Sequence, residues 1–188
     1  MTAEHRLKLG MVGGGEGAFI GAVHRTAARI DDKWVLVAGA FSSDAERSHR
    51  FGQSLGLDND RCYGDWKAMV KAEASQPGAI DAVAVVTPNN MHHAPARAFL
   101  DAGIAVICDK PLTTNIADAL DLQDAVKRTG LPFVLTHNYS GYAMVRQARA
   151  MVLEGALGAI RVVQAEYAQD WLARDLSGNK QADWRGDP

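Results

Sequence analysis

The chain has 188 residues, 47% of them hydrophobic, with a formal net charge of -2 and a pI of about 6.3. That is enough apolar material for one full domain and the beginning of a second. The charge is too balanced to recommend nucleic acid or an anionic membrane as partner, which leaves a small molecule as the expected ligand.

Met1 to Leu7 is short and polar, unlike a secretory leader, and no apolar run approaches the length of a membrane span, so the expected location is the cytoplasm. Cys62 and Cys108 are far apart and lack paired Cys/His spacing, which predicts two reduced thiols, Cys108 buried, and no metal site.

In chain order, the apolar stretch Leu9-Gly10-Met11-Val12 runs into Gly13-Gly14-Gly15-Glu16-Gly17. The apolar residues then take helical spacing at Ile20, Val23, Ala27 and Ile30. This predicts a strand, a tight turn and a helix over 19–30. Glycines permit positive φ and a close approach of backbone to ligand, and the free N–H groups of the following helix attract an anion. Gly13-x-Gly15-x-x-Ala18 fits the dinucleotide-binding fingerprint in its G-x-G-x-x-A form. A plain strand-to-helix turn is the alternative reading of the same glycines.

Residues 34–41, Trp-Val-Leu-Val-Ala-Gly-Ala-Phe, read as a strand of a parallel sheet covered on both faces. Ser42-Ser43-Asp44 offers an N-cap to a helix over 45–55. In a dinucleotide-binding fold an acid after the second strand binds the ribose 2′-hydroxyl and repels a 2′-phosphate. Ser42 and Ser43 stand there instead, with Arg47 and Arg50 in the helix behind them, leaving room for NADP. The competing reading makes the serines caps and the arginines a solvated helix face.

A helix over 66–73 follows, then a buried strand over 82–86 ending in Thr87-Pro88-Asn89-Asn90-Met91-His92-His93 and a helix over 94–101. Loops at the carboxyl ends of parallel strands line the ligand crevice, so Pro88 and Asn89 should face the cofactor. Adjacent His92 and His93 cannot share one helical face, which argues against a two-His metal site and for His92 as a hydrogen bonder at the helix start. The strand over 104–108 delivers Asp109-Lys110-Pro111. Proline restricts the residue before it, so Lys110 is held in a defined direction, able to hydrogen-bond or exchange a proton with a substrate hydroxyl. Otherwise it is a surface lysine beside a turn.

Thr113-Thr114-Asn115 caps a helix that reaches about Arg128, with Asp118 at the capping-box position, and Gly130-Leu131-Pro132 stops it. A strand over 133–136 leads His137-Asn138-Tyr139 into the crevice. The next helix places Met144, Val145, Ala148, Met151 and Val152 on one packing face. Gly155-Ala156-Leu157-Gly158 turns the chain into an expected strand over 160–167, followed by a polar, irregular stretch.

With these motifs in this order, the chain resembles the Gfo/Idh/MocA family of NAD(P)-dependent oxidoreductases. The resemblance is carried by the glycine turn with His24 downstream, Thr87-Pro88-Asn89-x-x-His92, Asp109-Lys110-Pro111 in place of the family's Glu-Lys-Pro, and Gly155-x-x-Gly158-x-Ile160. It implies an α/β chain: a Rossmann doubly wound parallel sheet over 1–140, then the start of an open-sheet α/β domain over 141–188. It implies hydride transfer between NAD or NADP and a sugar, inositol or related polyol, with the slight lean to NADP coming from Ser42, Ser43, Arg47 and Arg50.

The implied roles are Lys110 at substrate and nicotinamide, Gly13, Gly15 and Ala18 at the pyrophosphate, and Ser42 and Ser43 at the ribose. Thr87, Pro88, Asn89 and His92 would lie beside the cofactor, Asn138 and Tyr142 on the substrate side, and Trp184 and Arg185 in a segment approaching the cofactor. The glycine turn is longer than the family's, so Gly21 competes with Ala18 for the third glycine position. Family members continue into a second domain bearing an Asp/His motif. The chain is therefore expected to be a piece of a longer, homo-oligomeric enzyme, or else a non-catalytic dinucleotide-binding protein. The motifs at Thr87-Pro88-Asn89 and Lys110-Pro111 speak against a methyltransferase.

Overall fold

In the computed structural model, residues 6–170 and 173–174 are described; Trp184 and Arg185 lie outside them. Five strands form one parallel sheet: β1 (Leu7–Gly13), β2 (Trp34–Ala40), β3 (Ala82–Val86), β4 (Ala105–Cys108) and β5 (Phe133–Leu135), in the order β2-β1-β3-β4-β5. Helices α1 (Phe19–Ile30), α2 (Ala45–Ser54), α3 (Trp66–Glu73), α4 (His93–Asp101) and α5 (Ile116–Thr129) alternate with them. The chain moves outward from β1 to β2, then crosses back past β1 to β3. This reversal splays the connections at the carboxyl ends of β1 and β3 and opens a crevice there.

The two-residue period of the strands divides the core between two faces. Leu9, Met11, Ala84 and Val86 pack with Phe41 beneath α1 and α2, where Ile20, Ala28 and Phe51 close over them. Val12, Val83, Val85 and Val106 face the other way, against Met69 of α3, Phe99 and Leu100 of α4 and Leu122 of α5. All five residues of β3 are buried, which is why its sequence is continuously apolar rather than alternating. Asp44, Asp65 and Asn115 each accept a hydrogen bond from the backbone N–H three residues on, capping α2, α3 and α5, as the sequence predicts at Asp44 and Asn115. Both cysteines are buried free thiols. Burial pushes the Cys108 thiol up to about 12, and Asp109 adds to it. No helix among the described residues is long and apolar enough to cross a membrane.

The chain divides into two compact units, Met1–Gly141 and Tyr142–Pro188. The second unit holds α6 (Ala143–Leu153). The face of α6 expected to pack is largely open within that unit, with Met144 78% exposed. The strand expected over 160–167 is absent among the described residues: Val162 is 83% exposed and the segment has no ladder partner. Alternation of apolar residues marks the capacity to form a strand, and only a neighbouring strand satisfies its backbone groups.

One polar cluster is buried in the first unit. Glu73 of α3, 1% exposed, accepts hydrogen bonds from the Tyr63 hydroxyl (2.8 Å), Arg61 Nη2 (2.9 Å) and the Ile80 backbone N–H (3.0 Å). Burial, and then the bond to Glu73, push the Tyr63 phenol up to about 12. Removing the acceptor strands three donors, so Glu73→Ala should lower the unfolding free energy by about 3 kcal/mol or more in urea titration, with a smaller loss for Glu73→Gln.

Candidate functional site

The crevice begins at the glycine turn. Gly13 and Gly14 both take positive φ, +82° and +68°. Gly13 pairs with Val86, and a Cβ on it would lie 2.9 Å from the Thr87 nitrogen; one on Gly15 would lie 2.5 Å from the Phe41 carbonyl oxygen. The turn is thus wedged between the ends of β2 and β3, with no room for side chains at these positions. Helix α1 rests directly on it: a Cβ on Gly21 would meet the Gly14 oxygen at 2.3 Å and its Cα at 2.4 Å. Gly21 therefore takes the close-packing place of the third glycine. Ala18 instead begins the helix, its N–H donating to the Gly15 carbonyl at 3.0 Å.

Unlike α2, α3 and α5, α1 has no side-chain cap among the described residues, and its first turn, like that of α3, carries no acid. Its leading N–H groups carry the positive end of the helix dipole toward the crevice, where an anion would be held. Arg25, which the sequence reading did not single out, completes the turn. Its Nη1 donates to the Gly14 carbonyl at 2.8 Å, and its guanidinium lies 5.2 Å from the centre of the Phe51 ring. The available signal was its spacing, one helical turn beyond Gly21 and on the same face.

At the end of β2, Ser42 Oγ accepts from the Asp44 N–H at 3.1 Å, Ser43 is exposed, and the Asp44 carboxylate is engaged with the Arg47 N–H. Ser48 fixes this end from below: its hydroxyl, fully buried, accepts from the Phe41 N–H at 2.8 Å and donates to the Tyr63 carbonyl at 2.6 Å. Arg47 and Arg50, with Glu16, Phe51 and Ser54, line a cleft of about 290 Å³ between α2 and the glycine turn.

The loop after β3 forms a single 3-10 turn, Asn89–Met91, with Thr87 Oγ1 donating to the Met91 carbonyl at 3.1 Å. His92 lies beneath this loop, 1% exposed, with Nε2 2.9 Å from the Thr87 carbonyl and Nδ1 2.8 Å from that of Pro111. Its contacts are to backbone, as expected of a hydrogen bonder at the helix start, and they reach a second loop as well.

Beyond β4 the Lys110–Pro111 peptide is cis, and Lys110 is exposed at the crevice. The side chain of Asp109 turns inward. Its Oδ1 accepts from Thr136 Oγ1 at 2.7 Å and stands 3.6 Å from His24 Nε2. Burial pushes the Asp109 carboxyl up, but His24, Thr136 and the Lys110 N–H together outweigh it and hold it below its ordinary value. The strand registers, Gly13 beside Val86, Val85 beside Cys108 and Cys108 beside Leu135, bring Gly13, Thr87, Asp109 and Thr136 to one edge of the sheet. Asn138 follows at the same edge in the turn Asn138–Gly141, whereas Tyr142 opens the second unit.

Residues 7–137 match the GFO_IDH_MocA family model, described as an oxidoreductase family with an NAD-binding Rossmann fold. The oxidoreductase YfiI of Bacillus subtilis (strain 168) is 38% identical over 185 residues, 97% of this chain and 47% of that protein. An oxidoreductase from Sinorhizobium meliloti is similar in structure with a TM-score of 0.85 and 58% identity, over 89% of this chain and 47% of that one. An inositol dehydrogenase homolog from Azotobacter vinelandii, complexed with NADH and myo-inositol, gives a TM-score of 0.80 and 42% identity, over 84% of this chain and 41% of that one. The chain thus spans less than half the length of these relatives.

Two outcomes follow from the geometry. Gly21→Ala should lower the melting temperature by several degrees, because its methyl would meet backbone that cannot swing aside. Asp109 has a folded pKa below its ordinary 3.8, so its contribution to stability is present above about pH 4 and is lost as pH falls through the folded value. The melting-temperature gap between wild type and Asp109→Asn should therefore narrow on going from pH 7 to pH 3.

Proposed function

Because this chain belongs to the Gfo/Idh/MocA oxidoreductase family, we propose that it forms the dinucleotide-binding part of an enzyme that moves a hydride between NAD(P) and a sugar, inositol or related polyol. The observation that carries the reading is the glycine turn, which is closed to any side chain at Gly13, Gly15 and Gly21 and is followed by an uncapped helix N-terminus. Such a cradle fits a pyrophosphate, with backbone N–H groups of the turn and of α1 as donors.

The bound nicotinamide supplies the site that gives or takes the hydride. Thr87, Pro88 and Asn89 would bound it on the β3 side, and Lys110 would hydrogen-bond the reacting substrate oxygen, steadying it as its charge develops. Asn138 would contact the polyol. The myo-inositol complex of the Azotobacter vinelandii relative supports this substrate class.

At the ribose 2′ position the assignment is NADP ahead of NAD. No acid stands at Ser42 or Ser43, the nearby Asp44 carboxylate is taken up in capping α2, and Arg47 and Arg50 line the adjoining cleft. Glu16 shares that cleft and moderates the preference.

Calorimetric titration with NADPH and NADH tests both parts. Gly15→Val should abolish binding of either dinucleotide, since a branched side chain meets the Phe41 carbonyl; retained affinity would overturn the cradle. Changing Arg47 and Arg50 together to Ala should weaken NADPH about tenfold with little effect on NADH. Tighter binding of NADH by the unaltered chain would overturn the NADP assignment.

A further inference from the structure

Lys110 is exposed, yet the residues on either side of it are anchored from three directions. On the N-terminal side the Asp109 N–H donates to the Val85 carbonyl at 2.9 Å, and its carboxylate takes Thr136 Oγ1 at 2.7 Å with His24 Nε2 at 3.6 Å. His24 and Asp109 are both largely buried, and His24 comes from the middle of α1, the helix that rests on the glycine turn. On the C-terminal side the Pro111 carbonyl faces His92 Nδ1 at 2.8 Å and the Thr87 carbonyl of the β3 loop faces Nε2 at 2.9 Å, with the tautomer deciding which of the two receives the ring N–H. The backbone at Lys110 is thereby tied to α1, to the end of β5 and to the loop after β3, and only its own side chain is left to move.

We propose that His24, Thr136 and His92 are positioning residues for Lys110: they act through Asp109 and Pro111, and they fix the two residues between which the lysine projects. Because His24 belongs to α1, the helix at the phosphate cradle and the lysine at the reacting end share one rigid connection. The inference rests on the reading that Lys110 reaches the bound dinucleotide and substrate. A pre-set lysine forfeits less rotational freedom when it engages a ligand, which is what makes such anchoring matter for binding.

The test uses the chain as it stands, with His24→Gln, Thr136→Val and His92→Asn, each also combined with Lys110→Ala. Thr136→Val and His24→Gln keep side-chain volume, so the proposal remains testable if the deeply buried His92→Asn fails to fold. Nitrogen-15 relaxation reads the order of the Lys110 amide, expected near 0.85 in the unaltered chain and below about 0.6 in the anchor variants. NADPH affinity reads the coupling: each anchor variant should bind about fivefold more weakly when Lys110 is present and less than twofold more weakly when it is Ala.

An unchanged Lys110 order parameter overturns the proposal, as do losses of affinity that are the same with and without the lysine. If the anchor variants loosen Lys110 while Lys110→Ala binds NADPH as the unaltered chain does, the anchoring stands and the placement of Lys110 at the cofactor fails.

Discussion

The contact on which the remaining structure depends is the seating of α1 on the glycine turn. Gly21 comes so close to Gly14 that neither position has space for a Cβ, and Gly13 and Gly15 are pressed against the ends of β3 and β2. This close packing lets one short turn touch both neighbouring strands and still direct the N-terminus of a helix into the crevice. Arg25 then grips the Gly14 carbonyl from behind. Flexible residues are made rigid by their surroundings, so the freedom that glycine brings to the unfolded chain does not persist in the folded turn.

Around that contact the sheet works as an alignment device. Parallel registers carry Val12, Val85, Cys108 and Leu135 to one level, and the chemistry-bearing loops all leave from just beyond it. The loops are joined to one another by buried polar groups: His92 across the loops after β3 and β4, Asp109 across α1, β4 and the end of β5. Each of these groups links atoms of different elements. The same hydrogen bonds that make the crevice floor affordable to bury also decide where its lips stand.

Much of the fold was legible in the sequence because its signals are local. Five apolar runs bounded by Gly, Pro or capping residues, separated by helices with Asp44, Asp65 and Asn115 at their starts, describe an α/β alternation without any tertiary knowledge. The crevice loops were legible for the same reason, since they follow from strand ends. What sequence reasoning did not reach depends on contacts between distant residues. Nothing local marks Arg25 as the residue that holds Gly14, Ser48 as the support of β2, or His24 and His92 as neighbours of the segment carrying Lys110. The third glycine position stayed open between Ala18 and Gly21 until the approach of α1 to Gly14 decided it. The strand over 160–167 failed in the opposite sense: its pattern is local, but a strand is a property of two segments.

Ser48 has a consequence for how α2 is oriented. With its hydroxyl bonded to both Phe41 and Tyr63, the rotation of α2 about its axis is locked to the end of β2. One residue inserted among 42–44 would have to be absorbed within that connection, because turning α2 by about 100° would break both bonds of Ser48 and carry Arg47 and Arg50 off the cleft. The three-residue connection and the seat of Ser48 together therefore set which residues of α2 face the cleft.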